Sequence, residues 1–426
     1  MRPHDDAERG RRGDAEQGAP RVPASPRPRV LEVLEATIGG TKRHVLELSA
    51  GLRALGWDVE VACPRVRSAA HGDVSFWDDL RAAGVPAHAV PMRRASLHPA
   101  NAAAALQLAR LIHDGGYAIV HAHSSVAGAV ARPAALLSRS WRRQSKIQNP
   151  KSKIVYTPHG YAFLAPGSAL RRRNYLAAER ALGLLTDRLI ALSPTEAEAT
   201  IRKGVVPAER MVTIPLGINP QDLPSRERAA AVRARESWGD APVVATISRM
   251  TPQKDPFTWL RTARRVAEAR PDARFIWIWS GEMEAEVRAE ARALGLDDRL
   301  EFLGHRPDAR ELIAAADLFL LTSAFEGLPY SVIEALACAR PVVATDVVGT
   351  RDLVRHEQTG LLAPAGDDAA LAACVLRLLD DQAQARRLAE AGRADVLARF
   401  SVQRMVEQTA ALYTSLLSCS PDHLTT

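Results

Sequence analysis

Residues 322–335 read Thr322-Ser323-Ala324-Phe325-Glu326-Gly327-Leu328-Pro329-Tyr330-Ser331-Val332-Ile333-Glu334-Ala335. The apolar run Leu318–Leu321 stands just before them. The pattern predicts a strand, a short loop shaped by Gly327 and Pro329, and a helix opening near Ser331. Such a joint is the repeating unit of a doubly wound α/β sheet, whose ligand crevice lies beyond the carboxyl ends of its strands. Glu326 falls at that end. Glu334 follows within the helix, so both carboxylates can face one crevice. Backbone N–H groups at the helix start are open to an anion. Ser331 and Glu334 also have the spacing of a capping box, in which the Glu reaches back to the Ser331 amide. That structural reading of Glu334 stands beside the ligand reading. Glu326, beside a glycine in an apolar context, has no evident structural partner.

The same alternation extends outward in both directions. Strands are predicted at Val243–Ile247, Arg274–Trp279, Leu300–Leu303 and Val342–Ala344, with helices at Pro256–Ala269, Glu282–Leu294 and Ser331–Ala339. An earlier series predicts strands at Val30–Leu34, Trp57–Val61, Ala87–Pro91, Tyr117–His121, Ile154–Thr157, Arg188–Leu192 and Met211–Ile214. Val45, Leu48, Leu52 and Leu55 recur at helical spacing after the first of these, and Gly56 ends that helix. Strands alternating with helices imply parallel sheets covered on both faces. The expected organisation is a disordered tail over 1–28, which is charged and aperiodic; a first Rossmann-like domain over 29–219; a polar linker over 220–240; a second Rossmann-like domain over 241–400; and a last helix over 401–418.

Composition sets the outer bounds. A chain of 426 residues suits two domains of ~100–200 residues better than one. Hydrophobic residues at 47% and charged residues at 25% exclude a wholly disordered chain. No stretch of ~18 apolar residues is free of charge, so no spanning helix is expected. The first twenty residues lack the apolar core of a secretory signal. Lys and Arg number 56 against 49 acids, a formal charge of +7. Six of those bases (Arg139, Arg142, Arg143, Lys146, Lys151, Lys153) fall in one segment without an acid, so the basic balance does not imply a nucleic-acid face. This segment, 139–153, reads as an inserted solvated loop, or as an electrostatic contact with an anionic membrane. Cys63, Cys338, Cys374 and Cys419 form no C-x-x-C pair, which suits reduced thiols in a cytoplasmic protein.

Further candidates lie at other strand ends. Arg249 and Lys254 follow Val243–Ile247 and could balance a diphosphate, or simply be solvated loop charges. Gly39-Gly40 closes the first strand and would let a ligand approach the backbone closely. It is not G-x-G-x-x-G, so a nicotinamide dinucleotide is not indicated. His159 in Tyr156-Thr157-Pro158-His159-Gly160 ends another strand and could be structural or functional. His121 and His123 alternate on a strand like metal ligands, but with no third ligand in view packing and hydrogen bonding are expected. The sequence has no Asp-x-Asp to hold a divalent ion on a diphosphate, so no metal and no cofactor are expected.

Taken in order, the motifs resemble the family-4 retaining glycosyltransferases of the GT-B fold. The matching pieces are Gly39-Gly40, Thr157-Pro158-His159-Gly160, Ile214-Pro215-Leu216-Gly217-Ile218, Ser248-Arg249 with Lys254, and Phe302-Leu303-Gly304-His305-Arg306. Glu326-x7-Glu334, Pro341-Val342-Val343-Ala344-Thr345 and Val348-Gly349-Thr350-Arg351-Asp352 complete the set. The family often has Gly-Gly and a Glu where Val348-Gly349 and Asp352 stand. The basic segment 139–153 is outside its pattern. The resemblance implies two domains across a cleft and transfer of a sugar, with retention, from a nucleotide-sugar donor, a UDP-sugar by expectation, to a glycan or lipid-linked acceptor. It implies catalytic roles for His159, Arg249, Lys254 and Glu326. Donor binding falls to Gly39, Gly40, Arg306, Leu328, Tyr330, Ser331 and Glu334. Apart from the resemblance, the residues read above point to a cytoplasmic protein without a nucleic-acid partner, with peripheral membrane contact as the alternative reading of segment 139–153. A non-enzymatic nucleotide-sugar binder and a GT-B epimerase remain the alternatives.

Overall fold

The structure is a computed structural model that describes residues 28–66, 75–94, 98–142, 151–164 and 168–418. The expected tail over 1–28 thus lies, but for Pro28, outside the described residues, as does Cys419. Apolar runs buried on both faces build two all-parallel sheets. The first comprises β1 (Arg29–Leu34), β2 (Asp58–Cys63), β3 (Ala87–Ala89), β4 (Ile119–His123), β5 (Lys153–Thr157), β6 (Arg188–Ala191) and β7 (Met211–Thr213). Its spatial order is β3-β2-β1-β4-β5-β6-β7. The second comprises β8 (Val243–Ile247), β9 (Arg274–Ile278), β10 (Leu300–Gly304), β11 (Leu318–Leu321), β12 (Val342–Thr345) and β13 (Leu361–Ala363), ordered β10-β9-β8-β11-β12-β13. Both domains are therefore doubly wound α/β units, as expected.

The strand order fixes where a ligand can sit. The chain reverses its direction of sheet growth between β1 and β4 and again between β8 and β11. The loops leaving those strands open a crevice. These are the loops that carry Gly39-Gly40, Arg249 with Lys254, and Glu326.

The helix Gly39–Ala54 buries His44, Val45, Leu48 and Leu52 on one stripe. Leu55, read from the spacing as part of that stripe, is 53% exposed because the helix has already ended. The segment read as a linker carries a helix, Arg226–Arg235. Its Val232, with Trp238 beyond it, packs under β8 and β9 of the second domain. The chain returns at its end. Phe400 accepts a backbone hydrogen bond from Ile218, and the helix Val402–Ser418 lays Met405, Val406, Leu412, Tyr413 and Leu416 on the first domain against Val30, Leu48 and Leu52. Gly51 and Gly217 make room: a Cβ on Gly217 would lie 2.3 Å from the Val402 nitrogen, and one on Gly51 2.5 Å from Val406 Cγ2. Among the described residues no helix is long and apolar enough to cross a membrane.

Candidate active site

The two domains enclose a cavity of about 850 Å³. Gly39, Gly40, Arg43 and His159 line it from the first domain, and Arg249, Lys254, Glu326 and Glu334 from the second. Leu328, Tyr330 and Ser331 line it as well. Of the residues given a catalytic or donor-binding role from the sequence, Arg306 alone is not on that wall. Its guanidinium is turned to Asp308 (2.8 and 2.7 Å) and Glu236 (2.9 Å), although Pro307 and Asp308 beside it reach the cavity.

Glu326 is 5% exposed and is not without partners. Lys254 Nζ lies 2.5 Å from its Oε1, Ser323 Oγ donates to the same oxygen at 2.6 Å, and Gln253 Nε2 reaches Oε2 at 3.4 Å. The loop bearing Lys254 is pinned by Thr322, whose hydroxyl donates to the carbonyls of Lys254 and Asp255. Asp255, at φ +46, then caps the helix Pro256–Ala269 by accepting from the Thr258 amide. The cation and the carboxylate are thus held on two strand ends by local hydrogen bonds rather than by long flexible stems.

Glu334 does not form the capping box. The helix runs Tyr330–Ala337, Pro329 occupies the cap position, and no side chain caps it. Glu334 Oε1 instead accepts from Arg43 Nη1 at 2.6 Å and Arg310 Nε at 2.7 Å. Arg43 comes from the first domain, so this carboxylate bridges the cleft. The Arg43 guanidinium also lies over the Tyr330 ring, 4.6 Å from its centre, and donates to Glu47 at 2.7 Å. Tyr330 OH completes the ring of contacts with Glu47 at 3.3 Å. Gly40 is required here by a protein group: a Cβ would meet Tyr330 Cδ2 at 2.8 Å.

The His159 loop touches the Glu326 loop. Gly160, at φ +93, packs on Gly327, where a Cβ would fall 2.8 Å from the Gly160 nitrogen. The Gly160 amide donates to Glu196, which also accepts from Leu192. Burial pushes the Glu196 carboxyl up to about 7. His159 itself sits at φ +53, and its Nε2 is 3.1 Å from His123 Nδ1. His121 and His123 do face one way, and Glu32 lies between them, 2.6 Å from His123 Nε2 and 3.2 Å from His121 Nδ1. Burial and then His44 hold His159 well below the ordinary imidazole range, so it is neutral.

Sequence reading missed Arg43, Arg310, Glu47, Glu196 and Trp279. Trp279 is half-buried on the cavity wall with its ring edge-on to His305 at 4.4 Å. The signal for Arg43 was present in its position one turn after Gly39-Gly40, yet nothing local distinguished it from a solvated helix charge.

The arrangement combines cations, a helix amino terminus and two carboxylates around a water-accessible crevice. It can hold an anion flanked by hydroxyl-bearing groups. Known proteins resemble the chain over both domains. Residues 39–217 match the family described as glycosyl transferase 4-like domain, and residues 241–381 match glycosyl transferases group 1. A Bacillus subtilis protein named as the glycosyltransferase EpsD is 30% identical over 370 residues, which is 86% of this chain and 91% of that one. The Escherichia coli UDP-Gal:alpha-D-GlcNAc-diphosphoundecaprenol alpha-1,3-galactosyltransferase is 26% identical over 324 residues, 73% of this chain and 79% of that one. Among solved structures, Anabaena Alr3699/HepE in complex with UDP and glucose superposes with a TM-score of 0.76 at 22% identity, covering 91% of this chain and 100% of that one.

Proposed function

The chain belongs to the group 1 glycosyltransferases of the GT-B fold, and from that premise we propose that it moves a sugar from a UDP-sugar to a glycan or lipid-linked acceptor, with retention of configuration and without a metal ion. The observation that carries the proposal is the convergence of Arg249, Lys254, Glu326, Glu334 and His159 on one cavity.

Glycosyl transfer breaks an anomeric C–O bond and leaves a nucleoside diphosphate. Negative charge grows on the departing phosphate, and fixed cations and amides aimed at it lower the barrier. Arg249, Lys254 and the first amides of the helix Tyr330–Ala337 take that role. Glu334 holds the ribose hydroxyls and exchanges part of its bonding to Arg43 and Arg310 for them. Gly39 and Gly40 keep that wall low. Trp279 offers an aromatic face to the base. Glu326 and His159 contact the sugar. Both oxygens of Glu326 already accept hydrogen bonds, which disfavours it as a covalent nucleophile and supports attack on the same face, assisted by the departing phosphate. The uridine nucleotide is inferred from the ligands of the Anabaena protein and the donor named for the Escherichia coli relative. That relative's name also motivates a lipid-linked acceptor, and we place the reaction at the cytoplasmic face of a membrane.

A screen of nucleotide sugars, with and without undecaprenyl-diphosphate-linked sugars, tests the proposal. Acceptor-dependent release of UDP with a new glycosidic bond of retained configuration is expected, and it should persist in EDTA. Release of UDP at the same rate without acceptor, or with inversion at the anomeric carbon, would refute it.

A further inference from the structure

Behind His159 the first domain buries a carboxylate among imidazoles. Glu32 on β1 and His121 and His123 on β4 are all at 0% exposure. His123 bridges: its Nε2 is 2.6 Å from Glu32 Oε2, and its Nδ1 is 3.1 Å from His159 Nε2. Glu32 Oε1 accepts from Tyr413 OH at 3.0 Å, and that hydroxyl lies 2.6 Å from His121 Nδ1. The chain thus runs from the returning C-terminal helix to the cavity wall.

Elimination places the protons. Burial alone would raise the Glu32 pKa, but His121 and His123 outweigh it and hold the carboxyl low. An ionised carboxylate only accepts, so His123 must present Nε2–H to it. Burial, with His121 next, brings His123 down to about 4 and keeps it neutral. Its Nδ1 is then a lone pair that can only accept, and His159 must supply Nε2–H. His159 is neutral too, which leaves its Nδ1 bare. The ring hydrogen bond that His159 makes among the described residues runs through Nε2, to His123.

We infer that Glu32 and His123 are positioning residues: they fix His159 as the Nε2–H tautomer, so that its remaining ring nitrogen can accept a hydroxyl of the donor sugar and cannot donate. This rests on the reading of His159 as a sugar contact. It commits the site to donors that present a free hydroxyl there, and it disfavours deoxygenated or O-alkylated ones. His44, His123 and His159 each bring a ring nitrogen within 4.8 Å of the others. Glu32, His121 and His123 form a second such group; in both, His123 is engaged in hydrogen bonds, to His159 through Nδ1 and to Glu32 through Nε2.

The test uses the full chain with 15N-labelled histidine, His159 being assigned through His159→Gln. Correlation of ring nitrogens with carbon-bound protons should show His159 protonated at Nε2 and bare at Nδ1. His123→Leu should give a tautomer mixture and lower kcat/KM for the nucleotide sugar about tenfold, the scale of one hydrogen bond. His123→Asn places a carbonyl oxygen where Nδ1 was. It should restore the tautomer and most of the rate while melting lower than His123→Leu. A site that needs only packing ranks the two variants the other way, because Leu suits a buried pocket and Asn does not. If His123→Leu does not fold, Glu32→Gln reads the same point, since a neutral amide no longer dictates which His123 nitrogen carries the proton. A mixed or Nδ1–H tautomer in the unmodified protein, or Leu outperforming Asn in rate, would overturn the inference. The spectrum is read without substrate, so its failure leaves the transferase reading standing. A fixed tautomer alongside normal turnover by His159→Gln would instead remove the sugar contact on which the inference depends.

Discussion

Glu334 shares one oxygen between arginines from opposite walls of the cleft, so its substitution has two separable effects. Glu334→Gln should weaken binding of UDP by about 1.5–3 kcal/mol, the range for a hydrogen bond to a charged group. It should also lower the melting temperature, because Arg43 and Arg310 lose a shared carboxylate. Calorimetry and melting separate these, and a lower melting point with unchanged UDP affinity would remove the ribose role. Lys254→Ala should cost about 2.7–4 kcal/mol in the barrier, the loss of one preorganised charge donor, with activity insensitive to EDTA before and after. Restoration of turnover by a divalent ion would reassign the phosphate charge. Glu196 gives a pH signature. Its carboxyl is raised in the folded state from an ordinary 4.5 to about 7, so the folded chain binds the extra proton between those values. Stability therefore falls as pH rises from about 4.5 to 7, by up to about 3 kcal/mol from this group. Glu196→Gln should flatten that part of the urea-unfolding profile between pH 5 and 8; an unchanged slope would show that the group does not titrate there. Glu326, Lys254 and His159 were legible in the sequence because each stands in the loop that follows an apolar strand. Arg43 and Glu196 were not, since Arg43 meets its carboxylate only after 291 residues of chain and Glu196 reads as an ordinary helix-start acid.

Elements differ in how openly they declare themselves. Strands β8 and β11 match their apolar runs residue for residue, because a strand buried on both faces has no polar positions to blur its ends. The short β13 escaped the sequence reading: three residues after a glycine carry no periodicity. The helix Arg226–Arg235 was hidden in a different way, since it buries only Val232 and shows no apolar stripe. The returning helix Val402–Ser418 was legible as a helix, but its docking site depends on glycines at distant positions. Gly217→Ala should test that docking. Its Cβ would meet backbone rather than a yielding side chain, so a loss of about 1–3 kcal/mol is expected from overpacking. Gly239→Ala has open space around it and should lose only the strain of its positive φ, about 1 kcal/mol. Equal losses in urea unfolding would mean that the helix shifts freely on its platform.

At the scale of the whole molecule, the first domain exposes a cluster of basic side chains whose contact with a charged membrane surface can be tested. The helix Ala169–Gly183 exposes Arg171, Arg172 and Arg173 beside Leu170 at 69%, and Leu184 follows at 79%. The basic segment 139–153 is described only in part. Arg139 is held by the Ser152 carbonyl at 2.6 Å, Lys151 is exposed and Lys153 half-buried on β5, while Arg143, Lys146 and the Arg142 side chain lie outside the described residues. Replacing Arg171, Arg172 and Arg173 by Ser should weaken sedimentation with anionic vesicles, more so at low salt where exposed charges are less screened, without changing turnover on a soluble acceptor. Equal sedimentation would assign the face to solvent. The return of the last helix has a further consequence for how the molecule is made. The first domain's strands are complete by Thr213, yet the face formed by Val30, Leu48 and Leu52 is covered only by residues up to Leu416. At ~5–20 residues per second on the ribosome, that greasy platform waits roughly 10–40 s for its cover. That apolar face therefore stays open to non-specific association throughout the synthesis of the second half, and a stop codon near residue 400 would leave both sheets fully encoded but this face of the first domain permanently unroofed.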